Sequence, residues 1–385
     1  METQIVQTQN SDLSDTHLDG LGTVLQEKLQ ARIERGISRS ASYLDRIDTE
    51  GRLLNDFILP LGANKKVAFF SETDKVFMNI TNGEVHNYSL HPHAIAQAGD
   101  KLGIPQSYIK SLAESKLEWK TDLAAKLLNE HSLHATRQRV LVREVGGEIR
   151  GILSDQYRRL NSTEIYSSFI TAVKEQSAVI YDAYADDTRS YLETLYPQLI
   201  SVPTLKNGIV YMAYGIRLSS SDFGDGALEL RAFLVQTVCM NGLVRDSVLR
   251  QIHLGAKIPD NIQLSERTYR LDTQTQASII KDSVKQLMSK DSIYSNALQI
   301  QRASEMEVDL EKEFKLLPKV GLSKNETEEV KTVITSNKSS DGVQGENTLW
   351  KLAQSIGAVA RAKDERRKRE LEEISGKLLE RIKVN

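Results

Sequence analysis

Arginine is the residue type best placed to do chemistry in this chain, and its arginines gather in one hairpin pattern. The segment LVREVGGEIRGILSDQYRRL, residues 141–160, reads as paired strands joined by Gly146-Gly147. A Gly-Gly loop favours a tight turn, because both central positions want positive φ. The register that follows sets Val145 against Glu148, Glu144 against Ile149, Arg143 against Arg150 and Leu141 against Ile152. Side chains alternate between faces with period two. One face then carries Val140, Val142, Ile149 and Leu153. The other carries Arg139, Arg143 and Arg150, with Leu141 and Ile152 between them. Like charges set opposite one another destabilise a sheet by roughly a few tenths of a kcal/mol or more. A polyanion laid across the face removes that penalty, since each neutralised phosphate also releases a counterion. The chemistry on offer is phosphate binding. Tyr157 adds a ring on which a base could stack, and Arg158 and Arg159 add further cations. Downstream, Arg245, Arg250, His253 and Lys257 extend the track in LVRDSVLRQIHLGAKI.

A second reading stands beside this one. The same arginines could line a solvated sheet and pair with Glu144, Glu148 or Glu229. A slip of one residue in register would also break the row.

Other chemistries find less support. The chain has no GxxxxGK[ST] phosphate loop, no GxGxxG opening a helix and no GxSxG elbow. His91/His93 and His131/His134 lack the further ligands that a metal site needs. Glu118-Trp119-Lys120 has the Glu-x-Lys form of some metal-dependent nucleases, without an acidic partner on a preceding strand. Asp186-Asp187 reads as a solvated loop. A single cysteine, Cys239, excludes an intrachain disulfide framework.

The composition is that of a globular protein. The 385 residues are 40% hydrophobic and 26% charged, with a formal net charge of −2. Any basic surface must therefore be local. The N-terminal residues lack the basic-then-apolar order of a signal peptide. No apolar run approaches the ~18 residues that span a bilayer. The expectation is a soluble, cytoplasmic protein with no membrane partner and no cofactor.

The elements that must position these residues follow from periodicity. Residues 1–20 read as a disordered tail. Residues 21–135 read as helices with small strands, opened by LGTVLQEKLQARIERGI. KVAFF, KVFMNI and TNGEVHNYSL are the strands, and the last contains an Asn-Gly turn. Residues 136–270 read as a central antiparallel sheet with hairpins flanked by helices. NSTEIYSSFITAV is a helix capped by Asn161 or Ser162, with Glu164 completing a capping box. SSSDFGDG reads as a flexible loop, and Asn241-Gly242 as a tight turn. Residues 271–385 read as a helical C-terminal region with a loop at 336–347. TQASIIKDSVKQLMSKD is amphipathic, and the stretch from TLWKLAQSIGAVARA through RAKDERRKRELEE to the end reads as one helix. Its interleaved charges suit internal ion pairs, or a helix that docks a protein partner. The fold class expected is α+β.

Four stretches together carry a family resemblance: HAIAQAGDKLGIPQSYIKSL, VREVGGEIRGILSDQYRRLN, LRAFLVQTVCMNGLV and NTLWKLAQSIGAVARA. They resemble phage/plasmid-like proteins of mobile elements, a domain family of unknown function, over roughly residues 85–375. In outline the strand-hairpin-helix order is also similar to single-strand annealing proteins of the RecT and Redβ type. Those resemblances imply a bacterial host cell, single-stranded DNA or RNA as partner, ATP-independent annealing in recombination or replication, and assembly into rings or filaments. In that reading Arg139, Arg143, Arg150, Arg158, Arg159, Arg245, Arg250, His253 and Lys257 line the nucleic-acid track and Tyr157 stacks. Reversing Arg143 and Arg150 to Glu is expected to abolish binding and leave the fold intact. The rivals are an interaction protein, such as a host-defence antagonist or structural component, and a nuclease built on Glu118 and Lys120.

Overall fold

The computed structural model describes residues 20–62, 66–82, 84–206, 208–251, 264–336, 338, 343 and 345–382. The fold class is α+β, with the strands divided between two sheets. The first contains β1 (Leu54–Leu61), β2 (Val67–Glu72), β3 (Lys75–Asn82), β4 (Glu84–Leu90), β5 (Gln138–Val145) and β6 (Glu148–Ser154), in the order β1-β5-β6-β4-β3-β2. Its neighbours are antiparallel except for a short parallel pairing of β4 with β6. The expected boundary at residue 136 therefore falls inside this unit. The arginine hairpin joins the small strands because β1 pairs with β5 along its length, from Leu54 opposite Val145 to Leu61 opposite Gln138.

Helices α2 (Pro92–Lys101), α3 (Gln106–Ala113) and α4 (Glu118–His134) cover one face of this sheet. Val140, Val142, Ile149, Ile152 and Met78 pack there against Ile95, Ile109 and Leu128. Pro92 opens α2 at a position where its missing N–H is harmless, and the His91 side chain accepts from His93 N at 3.2 Å. Asn129 of α4 closes the free edge of β2: its amide accepts from Phe69 N at 2.8 Å and donates to Phe69 O at 2.6 Å. Unpaired edge groups would otherwise invite another chain.

The second sheet contains β7 (Val179–Ala185), β8 (Ser190–Leu195), β9 (Ile200–Thr204), β10 (Gly208–Ser220), β11 (Leu228–Gln236) and β12 (Asn241–Gln251). The order is β12-β11-β10-β8-β7, with β9 beside β10. On one face Met212, Tyr214, Ile216, Leu230 and Ala232 meet α5 (Ser162–Glu175), α6 (Glu266–Leu287), α7 (Lys290–Glu305), α8 (Leu310–Leu316), α9 (Lys324–Ser336) and α10 (Leu349–Ala360). On the other, Leu25, Leu29 and Ile33 of α1 (Gly20–Leu53) pack on Tyr181, Tyr211, Phe233 and Val235.

Both edges of this sheet are sealed through a glycine. A Cβ on Gly36 of α1 would lie 1.7 Å from the Tyr181 carbonyl oxygen of β7. A Cβ on Gly376 of α11 (Glu365–Leu379) would lie 1.8 Å from the Val244 carbonyl oxygen of β12. Only a residue without a side chain lets each helix backbone come so close.

Three local expectations are corrected. The final helix is broken into α10 and α11, because Asp364 caps a new helix by accepting from Arg367 N at 2.9 Å. Asn241-Gly242 starts β12; the turn lies at residues 237–240, and the Asn241 amide donates to Gln354 O of α10 at 3.1 Å. The loop SSSDFGDG is a hydrogen-bonded connection with Ser221 and Phe223 buried. Half of the loop at 336–347 lies outside the described residues.

Candidate nucleic-acid interface

The hairpin turn forms on Gly146 and Gly147, with φ of 60° and 92°. Val145 faces Glu148 and Glu144 faces Ile149, as the spacing predicts. A bulge then intervenes. Arg143 sits opposite Gly151, Val142 opposite Ile152 and Leu141 opposite Leu153, so Arg150 is the extra residue. The expected Arg143–Arg150 pair does not form. Ile152 turns into the helix-covered core, and Leu153 turns out to pack with Leu141 and Tyr157. One inserted residue exchanges the faces of everything beyond it.

The arginines expected to face solvent are engaged inside the fold. Arg143 is 2% exposed. Its Nε donates to Asp56 Oδ1 at 2.8 Å, and its Nη1 donates to the Asp222 carbonyl at 2.6 Å. Burial works against its charge, but Asp56 and Asp222 outweigh that and hold its pKa above the ordinary value. Arg150 lies 2.9 Å from Glu50 and 3.1 Å from Glu148. Arg139 is 3.6 Å from Asp155. Arg158 grips the Asp272 carboxylate with both Nε and Nη2. Arg159 lies 3.8 Å from Asp56 and sits over the Tyr269 ring at 4.9 Å. The ring expected to stack on a base is also internal: Tyr157 is buried and its hydroxyl donates to Ser221 O at 2.8 Å. Arg245 is buried in β12. Arg250 stands opposite Glu229 in the ladder, and its side chain lies outside the described residues, as do His253 and Lys257.

What these residues hold is the SSSDFGDG loop, residues 219–226. The carbonyls of Ser221, Asp222 and Phe223 accept from Tyr157 Oη, Arg143 Nη1 and Gln97 Nε2 respectively. The Ser221 hydroxyl donates to Thr188 O at 2.7 Å and accepts from Asp225 N at 2.8 Å. A segment rich in Ser, Asp and Gly therefore becomes the joint between the sheets.

A second charged network lies between the second sheet and α11. Arg217 is 2.7 Å from Glu193 and also grips Glu372. Arg369, fully buried, reaches Glu193 at 3.2 Å, Asp182 at 3.3 Å and Glu365 at 2.6 Å. Arg366 binds Asp225 at 2.6 Å and Arg367 binds Glu326 at 2.8 Å. The charge run expected to pair within its own helix, or to dock a partner, is mostly spent on holding that helix to the core.

A cavity of about 40 Å³ lies at the joint, lined by Glu50, Asp186, Arg189 and Asp222 among others. It has room for a few water molecules. Among the described residues no group of His, Cys, Asp or Glu is arranged to hold a metal ion. No helix among them is long and apolar enough to cross a membrane.

Exposed cations of a different kind lie on α6. Arg267, Arg270, Lys281 and Lys285 are all exposed, and among the described residues none has a carboxylate within ion-pair distance. With Gln274 and Ser278 they follow one another at spacings of three and four residues. At 100° per residue they fall within about 80° of arc, in a stripe about 27 Å long. The acids of α6 lie off it: Asp272 is turned to Arg158, and Glu266 and Asp282 flank it. The apolar side of the same helix, Ile280, Val284 and Leu287, is in the core. That side supplies the amphipathic signal in the sequence. The cationic stripe has its own sequence signal in the three-and-four spacing of its residues.

No family model, curated protein or solved structure matches this chain.

The geometry thus separates cations that hold the fold from cations that are free to hold something else. An exposed, unneutralised row along a rigid helix can track phosphates without reading base identity.

Proposed function

We propose that the protein binds nucleic acid through the outer stripe of α6 and anneals complementary single strands without a nucleotide cofactor, as a homo-oligomer in a phage or plasmid context. The observation that carries this is the row Arg267, Arg270, Lys281 and Lys285, exposed and without carboxylate partners among the described residues. In a chain of net charge −2, so local a concentration is available for a polyanion. The resemblance to mobile-element proteins and, in outline, to strand-annealing proteins supports the same direction. The hairpin residues enter this proposal as scaffold.

The rival, an interaction protein with no nucleic-acid role, draws on one observation: Arg143 and Arg150 pair with carboxylates inside the fold. The test is fluorescence anisotropy of a labelled single-stranded oligonucleotide, titrated with protein at low and moderate salt. Phosphate tracking by the stripe gives binding that weakens with salt, with a log–log slope of about −3 for the cations of α6 at roughly −0.7 each. Absence of binding at low salt would end the proposal in favour of the rival.

A further inference from the structure

Trp119 has no place in the core. It is the second residue of α4, and it is 61% exposed. The helix buries Thr121, Ala124, Ala125, Leu128 and Ser132, and none of these needs the indole. The other tryptophan, Trp350, is 2% exposed within the second core. Leu117, at the end of the α3–α4 connection, is about half exposed, and so is Tyr108 on α3. A helix–turn–helix that presents its largest rings to water has an unused contact surface.

The charges at this site select the partner. Lys120 Nζ sits 5.6 Å from the Trp119 ring centroid. Lys116 is exposed, and neither lysine has a carboxylate partner among the described residues. Lys110 is 3.6 Å from Glu114, which leaves Glu118 as the remaining acid of the turn. A flat ring flanked by unneutralised lysines suits a base with its phosphates. A base inside a duplex is stacked on its neighbours and cannot offer a free face to such a ring.

We infer that Trp119 is a stacking site for an unpaired base, with Lys116 and Lys120 meeting the adjacent phosphates, so that the preferred ligand is single-stranded. This rests on the nucleic-acid reading and adds to it a base-stacking contact that would make the protein prefer a single strand to a duplex. It also gives the Glu118-Trp119-Lys120 motif a role in binding.

Tryptophan emission reads the site directly, because Trp350 is buried. The probe is a single-stranded oligothymidylate of about 16 nucleotides, long enough for a typical strand-binding site. The emission of the intact chain should fall as the oligonucleotide is added, along the same isotherm as the anisotropy. Trp119→Leu should remove that quenching and weaken binding roughly 5- to 150-fold, the range for loss of a stacked base. Trp119→Phe keeps a ring and should retain most of the affinity. A blunt duplex should quench little. Binding by anisotropy with unchanged emission and an unaffected Trp119→Leu variant would overturn the stacking site while leaving nucleic-acid binding in place. Equal quenching by the duplex would overturn the single-strand preference. No anisotropy change at all would remove both proposals together.

Discussion

The hairpin of β5 and β6 and the outer face of α6 are both rich in cations, yet they are opposites. In the hairpin each described cation has an acid beside it: Asp56 on β1 for Arg143, Glu50 on α1 for Arg150, and Asp155, just past β6, for Arg139. On α6 the exposed cations meet none among the described residues. A basic cluster in a sequence therefore does not identify a binding face. What matters is whether the fold brings acids to it from elsewhere. A row on a sheet buried between units collects partners from both sides. A row on the outer side of a surface helix can collect only from its own neighbours.

That contrast can be broken at its strongest point first. Arg369→Met takes from Glu193, Asp182 and Glu365 the buried cation they share, and it should destabilise the protein by roughly 3–5 kcal/mol, measured as a fall in the urea midpoint. Arg143→Met should behave similarly, and Arg143→Glu should cost the fold as well as any binding, the reverse of the expectation from sequence alone. If either variant keeps its stability, the buried networks are not what hold the units together.

Acid should act next. Glu326, hydrogen-bonded by Arg367, is held down to about 2. Burial pushes Glu365 up, but Lys368, Arg369 and Arg39 outweigh it and bring it down to about 2 as well. Both pKa values are depressed in the folded state, so their contribution is complete above the unfolded range, about 4.3. It is lost as pH falls from there toward 2. Stability measured by denaturant titration should decline through that window; a flat profile would contradict the ion-pair assignment.

Smaller effects sharpen the boundary between the regions. Arg158 and Asp272 form a pair about a quarter exposed, and Arg158→Gln should cost about 1 kcal/mol or less. Lys285→Gln should leave stability within about 0.5 kcal/mol. The same change should flatten the salt dependence of oligonucleotide binding by about 0.7 of a log unit per log unit of salt.

Much of the fold was legible where the signal is local. Gly146-Gly147 fixed its turn, and the alternating strands β2, β3 and β4 pair as their spacing predicts. The Asn161 cap opened α5. The bulge at Arg150 was not legible, because its causes lie elsewhere in the chain. The Ile152 N–H bonds to Gln97 Oε1 of α2, and Phe223 passes over Gly151. Those contacts set the register that decides where every hairpin arginine points. The break between α10 and α11 did have a local signal, Asp364 ahead of a charged turn, masked by an unbroken charge run. At α6 the apolar periodicity marks the core side, whereas the cations opposite it are spread from Arg267 to Lys285 among neutral and acidic residues and form no run. Tertiary partners such as Asp56 for Arg143 lie 87 residues away, beyond any local pattern.

The measurement that bears most directly on the division between the two regions is one salt-dependent anisotropy titration. It sets the intact chain beside a variant carrying Arg267→Glu, Arg270→Glu, Lys281→Glu and Lys285→Glu, with the same labelled single strand and with urea midpoints recorded for both. The expected result is a variant that stays folded, with its affinity lost and its salt slope flattened. An unchanged isotherm at both salt concentrations would contradict the assignment of α6 as the phosphate-binding face.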